Sequence, residues 1–159
     1  MRVLIISDTH RMNGTYLDLV ERWAPLDMVI HCGDVEGSEY VISEAVDCPV
    51  VIVQGNNDFF SNLPKERVLE IGRYQVLVTH GHQYYVSTGH EFLAKEASAR
   101  RINIVMYGHT HRPVIEKVKD VLVMNPGSLT YPRQANRKAS YIIMEMDQSG
   151  EPEFQIHYV

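Results

Sequence analysis

At 159 residues, 45% apolar and 22% charged, the chain is the size of one globular domain that buries a core without disulfide staples. That balance excludes disorder, collagen-like repeats and a coiled coil. Fifteen Lys and Arg against 20 Asp and Glu give a net charge of −5, which argues against a strongly basic surface for long duplex nucleic acid. The two cysteines, Cys32 and Cys48, have no metal-type or framework spacing, so a disulfide scaffold is also excluded.

The chain opens on Val3–Ile6, a β-branched apolar run suited to a strand covered on both faces. It is too short for a signal peptide, and no run approaches the ~18 residues that cross a bilayer. A cytoplasmic protein with no membrane contact is therefore expected. Tyr16, Leu17, Val20 and Trp23 share a helical face, with Thr15 and Asp18 as a capping pair. Met28–Ile30 reads as a strand, Val41, Ile42, Ala45 and Val46 as a short helix, and Val50–Val53 as another strand. This β-α-β-α-β order predicts a parallel sheet with helices on its face.

The second half is mostly β. Val68–Ile71 and Tyr74–Thr79 flank a Gly72-Arg73 turn, and Thr88 with Glu91 forms a capping-box pattern before Phe92, Leu93 and Ala97. Ile102–Tyr107 is a buried strand. Val114–Val118 and Val121–Met124 flank Lys119-Asp120, and Tyr141–Met146 and Phe154–Val159 complete the strands. With no repeat or linker to divide it, residues 1–159 read as one α/β domain: a two-layer β-sandwich of mixed sheets flanked by helices.

Polar residues with metal-ligand chemistry gather where the apolar strands end: Asp8-Thr9-His10, Gly33-Asp34, Gly55-Asn56-Asn57-Asp58, His80-Gly81-His82 and Gly108-His109-Thr110-His111. Random placement of eight His gives about 0.4 His-x-His pairs, so either pair alone is weak evidence. Five such clusters at strand ends, four of them beside glycines, are not, because open α/β sheets hold ligands outside the carboxyl ends of their strands. Imidazole and carboxylate without thiolate suit Mn²⁺, Zn²⁺ or Fe. Seven candidate ligands exceed what one ion uses, so two ions are expected, with the Asp34 carboxylate able to bridge them. His31 alternates with apolar neighbours and reads as a core residue, while His90 and His157 read as surface residues.

These motifs, in this order, resemble the signature of the calcineurin-like metallophosphoesterases. Asn125-Pro126-Gly127-Ser128 followed by Pro132-Arg133 resembles the small, cap-less prokaryotic phosphodiesterase branch. The resemblance implies that Asp8, His10 and His111 hold one divalent ion and that Asn56, His80 and His109 hold the other, with Asp34 bridging. It implies Mn²⁺, with Zn²⁺, Ni²⁺ or Fe as alternatives, and in-line attack on a small phosphodiester by a hydroxide between the ions. Arg11 and Arg133, with Arg112, Arg137 and Lys138, are candidate phosphate contacts. Phosphomonoesterase or nuclease activity in the same site is the second enzymatic reading, and self-association into a homo-oligomer is compatible with the sequence.

Two positions depart from the family pattern. Where it often has His after Asn56, paired with an Asp that orients it, this chain has Asn57 before Asp58. An amide donates a hydrogen bond but supplies no proton, so His82 becomes the substitute acid or, on a second reading, the group that orients His80. Arg11 replaces a glycine and either reaches the pocket or points to solvent. A trafficking-coat subunit with a similar fold serves as a scaffold with a depleted metal site; here all seven positions carry usable ligands.

Overall fold

A computed structural model describes residues 1–159. The elements run β1 (Arg2–Ile6), α1 (Gly14–Trp23), β2 (Met28–His31), α2 (Glu39–Glu44), β3 (Val50–Ile52), β4 (Glu66–Ile71) and β5 (Tyr74–Thr79). After a 3₁₀ turn at His82–Tyr84 come α3 (Glu91–Ala99), β6 (Ile104–Met106), β7 (Val114–Val118), β8 (Val121–Asn125), β9 (Ser140–Met146) and β10 (Pro152–Tyr158). They form two five-stranded sheets, ordered β10-β9-β1-β2-β3 and β4-β5-β6-β8-β7. Both are mixed: β1, β2 and β3 run parallel while β9 and β10 run antiparallel, and β5, β6 and β8 run parallel between antiparallel β4 and β7.

The two-residue period of a strand explains why the runs are apolar throughout. On β1, Val3 and Ile5 face the other sheet and meet Val76, Val78, Ile104 and Met106. Leu4 and Ile6 face outward, onto Tyr16 and Leu19 of α1 and Ile42 of α2. On the second sheet Leu77 and Val105 turn outward onto Leu93 and Ala97 of α3. Each sheet is thus buried twice, once against its partner and once under helices. The expected sandwich forms, with its two tight hairpins: Ile71 pairs with Tyr74, and Val118 with Val121.

Helix details differ from the sequence reading. Asn13, not Thr15, precedes α1, whose buried stripe is Tyr16, Leu19, Val20 and Trp23, while Leu17 is exposed. That is the i, i+3, i+4, i+7 spacing of a helix packed on a sheet. Thr88 caps nothing: its hydroxyl donates to the Tyr85 carbonyl, α3 begins after His90, and Leu93, Ala94 and Ala97 are buried while Phe92 is exposed. Val41 likewise faces solvent, leaving Ile42 as the buried anchor of α2. No helix is long and apolar enough to cross a membrane.

Candidate metal centre

The parallel strands of both sheets end at one rim, and the five polar clusters meet there. The Asp8 amide donates to the Gly33 carbonyl and the His10 amide to the Asp34 carbonyl, joining the loops after β1 and β2. Across the sandwich, Gly108 N donates to the His80 carbonyl, and His109 N donates to Asp8 Oδ2 at 3.2 Å. Asn125-Pro126-Gly127-Ser128 ties the halves together. Asn125 Nδ2 donates to the Gly108 carbonyl, and the Ser128 hydroxyl donates to the Asp8 carbonyl while accepting from the amides of Thr130 and Tyr131.

The backbone is bent to make these meetings. Asp8, His10, Asp34, His109 and His111 all lie in the left-handed region, with φ between +44° and +68°. Each costs an L-residue roughly 1–2 kcal/mol, a cost that persists where the surrounding structure dictates it. Two glycines make room: a side chain on Gly55 would overlap Asp34 Oδ1, and one on Gly108 would overlap the Ser7 hydroxyl.

Three imidazoles are oriented by acceptors outside the cluster. His10 Nδ1 lies 2.6 Å from a Glu36 carboxylate oxygen, His80 Nδ1 2.8 Å from the Cys32 carbonyl, and His111 Nδ1 2.7 Å from the Tyr131 carbonyl. These oxygens only accept, so each Nδ1 carries the proton and each Nε2 presents a bare lone pair inward. What those lone pairs meet is also acceptor. His111 Nε2 is 3.0 Å from Asp8 Oδ1 and 3.5 Å from His10 Nε2. His80 Nε2 is 3.0 Å from Asn56 Oδ1 and 3.5 Å from Asp34 Oδ2, and His10 Nε2 is 3.9 Å from that same carboxylate oxygen. His109 Nδ1 reaches Asn56 Oδ1 at 2.8 Å.

Asp8, Asp34 and His80 are essentially inaccessible to solvent, and Asp8 Oδ1 has no hydrogen-bond donor. Buried imidazole lone pairs facing carboxylate oxygens, with no proton from either side, are a destabilising arrangement unless a cation fills it. The donor set therefore fits divalent metal. Asp8, His10 and His111 form one group with ligand atoms in mutual reach, and Asp8, Asp34 and His80 another, so Asp34 stands between the two sets of imidazoles. Without metal, burial opposes the charged form of His111, but the Asp8 carboxylate outweighs it and raises the pKa. Burial, then His80, lowers the pKa of His82 and His109.

The remaining candidates fall into place around this core. Asn57 donates twice to Asp34, with N to Oδ1 at 2.8 Å and Nδ2 to Oδ2 at 2.6 Å. Asp58 does not touch the Asn57 side chain. Buried to 3% exposure, its carboxylate accepts from the amides of Asp34, Glu36 and Gly55 at 2.9, 2.6 and 2.7 Å. His82 makes no hydrogen bond to His80, whose Nδ1 meets the Cys32 carbonyl; the two rings lie 5.5 Å apart, and the Nδ1 of His82 is buried and unpartnered. Arg11 Nε donates to the Glu36 carbonyl at 2.7 Å, with three-quarters of the side chain exposed. Arg112 and Arg133 line a cleft of about 410 Å³ beside Thr110, and Arg133 N donates to the His111 carbonyl.

His31 is a core residue as expected: its Nδ1 accepts from Gly33 N and its Nε2 lies 3.0 Å from the Thr9 hydroxyl. Complete burial lowers its pKa to about 3. The unfolded imidazole takes up a proton near pH 6.5 that the folded one refuses, so stability is full above that pH and is lost as pH falls toward 3. Chelated protein should lose thermal stability across this window, and His31→Gln should show a shallower loss between pH 6.5 and 4.5. An unchanged slope in the variant would assign the acid sensitivity to other groups.

Two histidines read as surface residues are partnered. His90 bonds the Tyr107 hydroxyl through Nε2 and the Glu116 carboxylate through Nδ1, and His157 stacks on Tyr141 with centroids 5.3 Å apart. The sequence reading also missed Glu36, which orients His10, and the Cys32 and Tyr131 carbonyls. No side-chain pattern announces a carbonyl partner; Glu36, two residues after Asp34, was visible only as an acidic neighbour of the motif.

Comparison with known proteins agrees with this geometry. Residues 1–149 match the calcineurin-like phosphoesterase superfamily domain. The chain is 32% identical over 145 residues to the phosphodiesterase MJ0936 of Methanocaldococcus jannaschii, covering 80% of this chain and 83% of that one. A conserved Streptococcus pneumoniae protein described as a predicted phosphoesterase superposes with a TM-score of 0.82 at 28% identity, over 99% of this chain and 88% of that chain. A variant of Vps29 from Entamoeba histolytica superposes at 0.80 with 25% identity, over 100% and 99% of the two chains. The chain belongs to the calcineurin-like phosphoesterase superfamily and is a metal-dependent phosphoric ester hydrolase.

Proposed function

We propose that the protein is a phosphodiesterase for small substrates, working with two divalent ions. The observation that carries this reading is Asp34 Oδ2, set 3.5 Å from His80 Nε2 and 3.9 Å from His10 Nε2, two imidazole nitrogens whose protons sit on the far side of their rings. Asp8, His10 and His111 would hold one ion; His80, His109 and Asn56 the other, with Asp34 shared. Mn²⁺ suits this mixture of imidazole, carboxylate and amide oxygen, as do Zn²⁺, Ni²⁺ and Fe. Such a pair of ions, when bound, offsets the charge of the phosphoryl oxygens and acidifies a water at neutral pH.

The chain's own groups do the rest. Asn57 and Asp58 act by position: Asn57 clamps both oxygens of Asp34, and Asp58 gathers the amides of the loops after β2 and β3. Arg133 stands beside His111 with no carboxylate partner, available to a phosphate oxygen. Asn57 carries no acidic proton, and burial lowers the pKa of His82, which weakens the remaining candidate for protonating the leaving oxygen. Missing acid assistance costs roughly 10²–10⁴-fold with a poor leaving group, so the reading favours esters of acidic alcohols. The two free cysteines fit a reducing, cytoplasmic setting.

The test is hydrolysis of bis-p-nitrophenyl phosphate beside p-nitrophenyl phosphate by chelated protein reloaded with Mn²⁺. The expected result is metal-dependent turnover with kcat/KM for the diester at least tenfold above that for the monoester. Turnover of the monoester alone would overturn the diester assignment. Silence with both substrates across Mn²⁺, Zn²⁺, Ni²⁺ and Fe²⁺ would overturn the hydrolytic reading of the site.

A further inference from the structure

Beside the cluster the chain displays two largely exposed aromatic rings. Phe59 is 75% exposed and Phe60 fully exposed, although both follow Asp58, the buried anchor of the site loops. Phe60 also sits at φ +60°, a conformation disfavoured for a bulky side chain. With Arg11, Glu36, Gly37 and Asn57, the two rings line a cleft of about 460 Å³. Arg11, Glu36 and Gly37 are left-handed as well, at φ +66°, +52° and +83°. Three non-glycine residues of one cleft in this conformation, Arg11, Glu36 and Phe60, are backbone strain of the kind that clusters at ligand sites.

The cleft is continuous with the metal cluster through three residues. Asn57, on its floor, donates to Asp34 Oδ2, and its carbonyl accepts from Phe59 N at 2.9 Å. Glu36, which also lines the cleft, holds His10 Nδ1. Arg11, next to His10, is fixed through Nε on the Glu36 carbonyl, leaving its terminal nitrogens open. The backbone flanking the rings is held: Asp58, immediately before them, accepts three amides, and Ser61 N closes a turn onto the Asp58 carbonyl. An exposed aromatic pair on an anchored loop and a guanidinium, beside the candidate metal ligands, match an ester group that is planar, aromatic and attached to phosphorus.

We infer that Phe59 and Phe60 form a stacking subsite for the aromatic group of the substrate, whether an aryl ring or a nucleobase. This rests on the phosphodiesterase reading and narrows its substrate class. Aromatic stacking of this kind changes affinity by about tenfold.

The test is calorimetric titration of Mn²⁺-loaded protein with methylphosphonate and phenylphosphonate. Phenylphosphonate should bind about tenfold more tightly to the wild-type chain. In Phe59→Ala/Phe60→Ala that advantage should vanish with methylphosphonate affinity unchanged, and Phe59→Tyr/Phe60→Tyr should restore it. A parallel comparison of adenosine 5′-monophosphate with ribose 5-phosphate separates the two sources: a base-dependent advantage lost in the alanine pair assigns a nucleobase, and an advantage for phenylphosphonate alone assigns an aryl ester. Equal affinities for both phosphonates in the wild-type chain, or an aromatic advantage that survives the alanine pair, would overturn the subsite while leaving the phosphodiesterase reading standing. Failure of methylphosphonate to bind the wild-type chain would remove both.

Discussion

Asp34→Asn should cut Mn²⁺-dependent diester turnover by at least about 10²–10³-fold while leaving the fold intact. The substitution keeps the volume, and its remaining carbonyl oxygen can still accept from Asn57 N, which bonds Oδ1 at 2.8 Å. What it removes is the charge lying between His10 and His80 and the oxygen clamped by Asn57 Nδ2. On the two-ion proposal a carboxylate in that place would serve both ligand groups, so neutralising it would weaken both at once. The same variant should respond less to metal in thermal melting. A cation at 100 times its dissociation constant stabilises the native state by about 2.7 kcal/mol, or roughly 5–10 °C for a domain of this size. Wild-type protein should show a shift of that order and Asp34→Asn a much smaller one. Equal shifts, or equal turnover, would mean that Asp34 is not a ligand.

Asp58→Ala should act by a different route, lowering the stability of the chelated protein by about 3–5 kcal/mol. The carboxylate is buried and accepts the amides of Asp34, Glu36 and Gly55, so removing it strands three N–H groups at once. Those amides belong to the loops that carry Asp34 and Asn56, and turnover should fall with their positions. Asp58→Asn, which restores one acceptor oxygen, should recover part of both losses in denaturant unfolding and in steady-state assay. A catalytic Asp58 would behave otherwise, losing turnover in the alanine variant with stability unchanged.

The architecture was legible because its cause is local. Apolar runs such as Val3–Ile6 and Tyr74–Thr79 announce strands covered on both faces, and both two-residue hairpins follow from turn residues between such runs. The metal cluster was legible because parallel strands deliver their ends to one rim, so Asp8, Asp34, Asn56, His80 and His109 are brought together by topology. Helix faces were less legible. Leu17 and Leu19 are both apolar and two residues apart, and only the position of the β1 surface decides that Leu19 goes inward.

The roles of Asn57, Asp58 and His82 were hidden for another reason. Each depends on a partner across the fold: the oxygens of Asp34 for Asn57, the amides of two loops for Asp58, and for His82 a Cys32 carbonyl that had already taken His80 Nδ1. Periodicity carries no information about which backbone group a side chain meets. The partners of His90 in Tyr107 and Glu116 were invisible on the same grounds.

Crystals soaked in Mn²⁺ and measured by anomalous scattering at the manganese edge test the binuclear centre most directly. The account predicts two peaks at the rim: one within about 2.0–2.3 Å of ligand atoms from Asp8, His10 and His111, the other equally close to Asn56, His80 and His109, with Asp34 in reach of both. A single peak at saturating metal, or peaks away from these side chains, would contradict it.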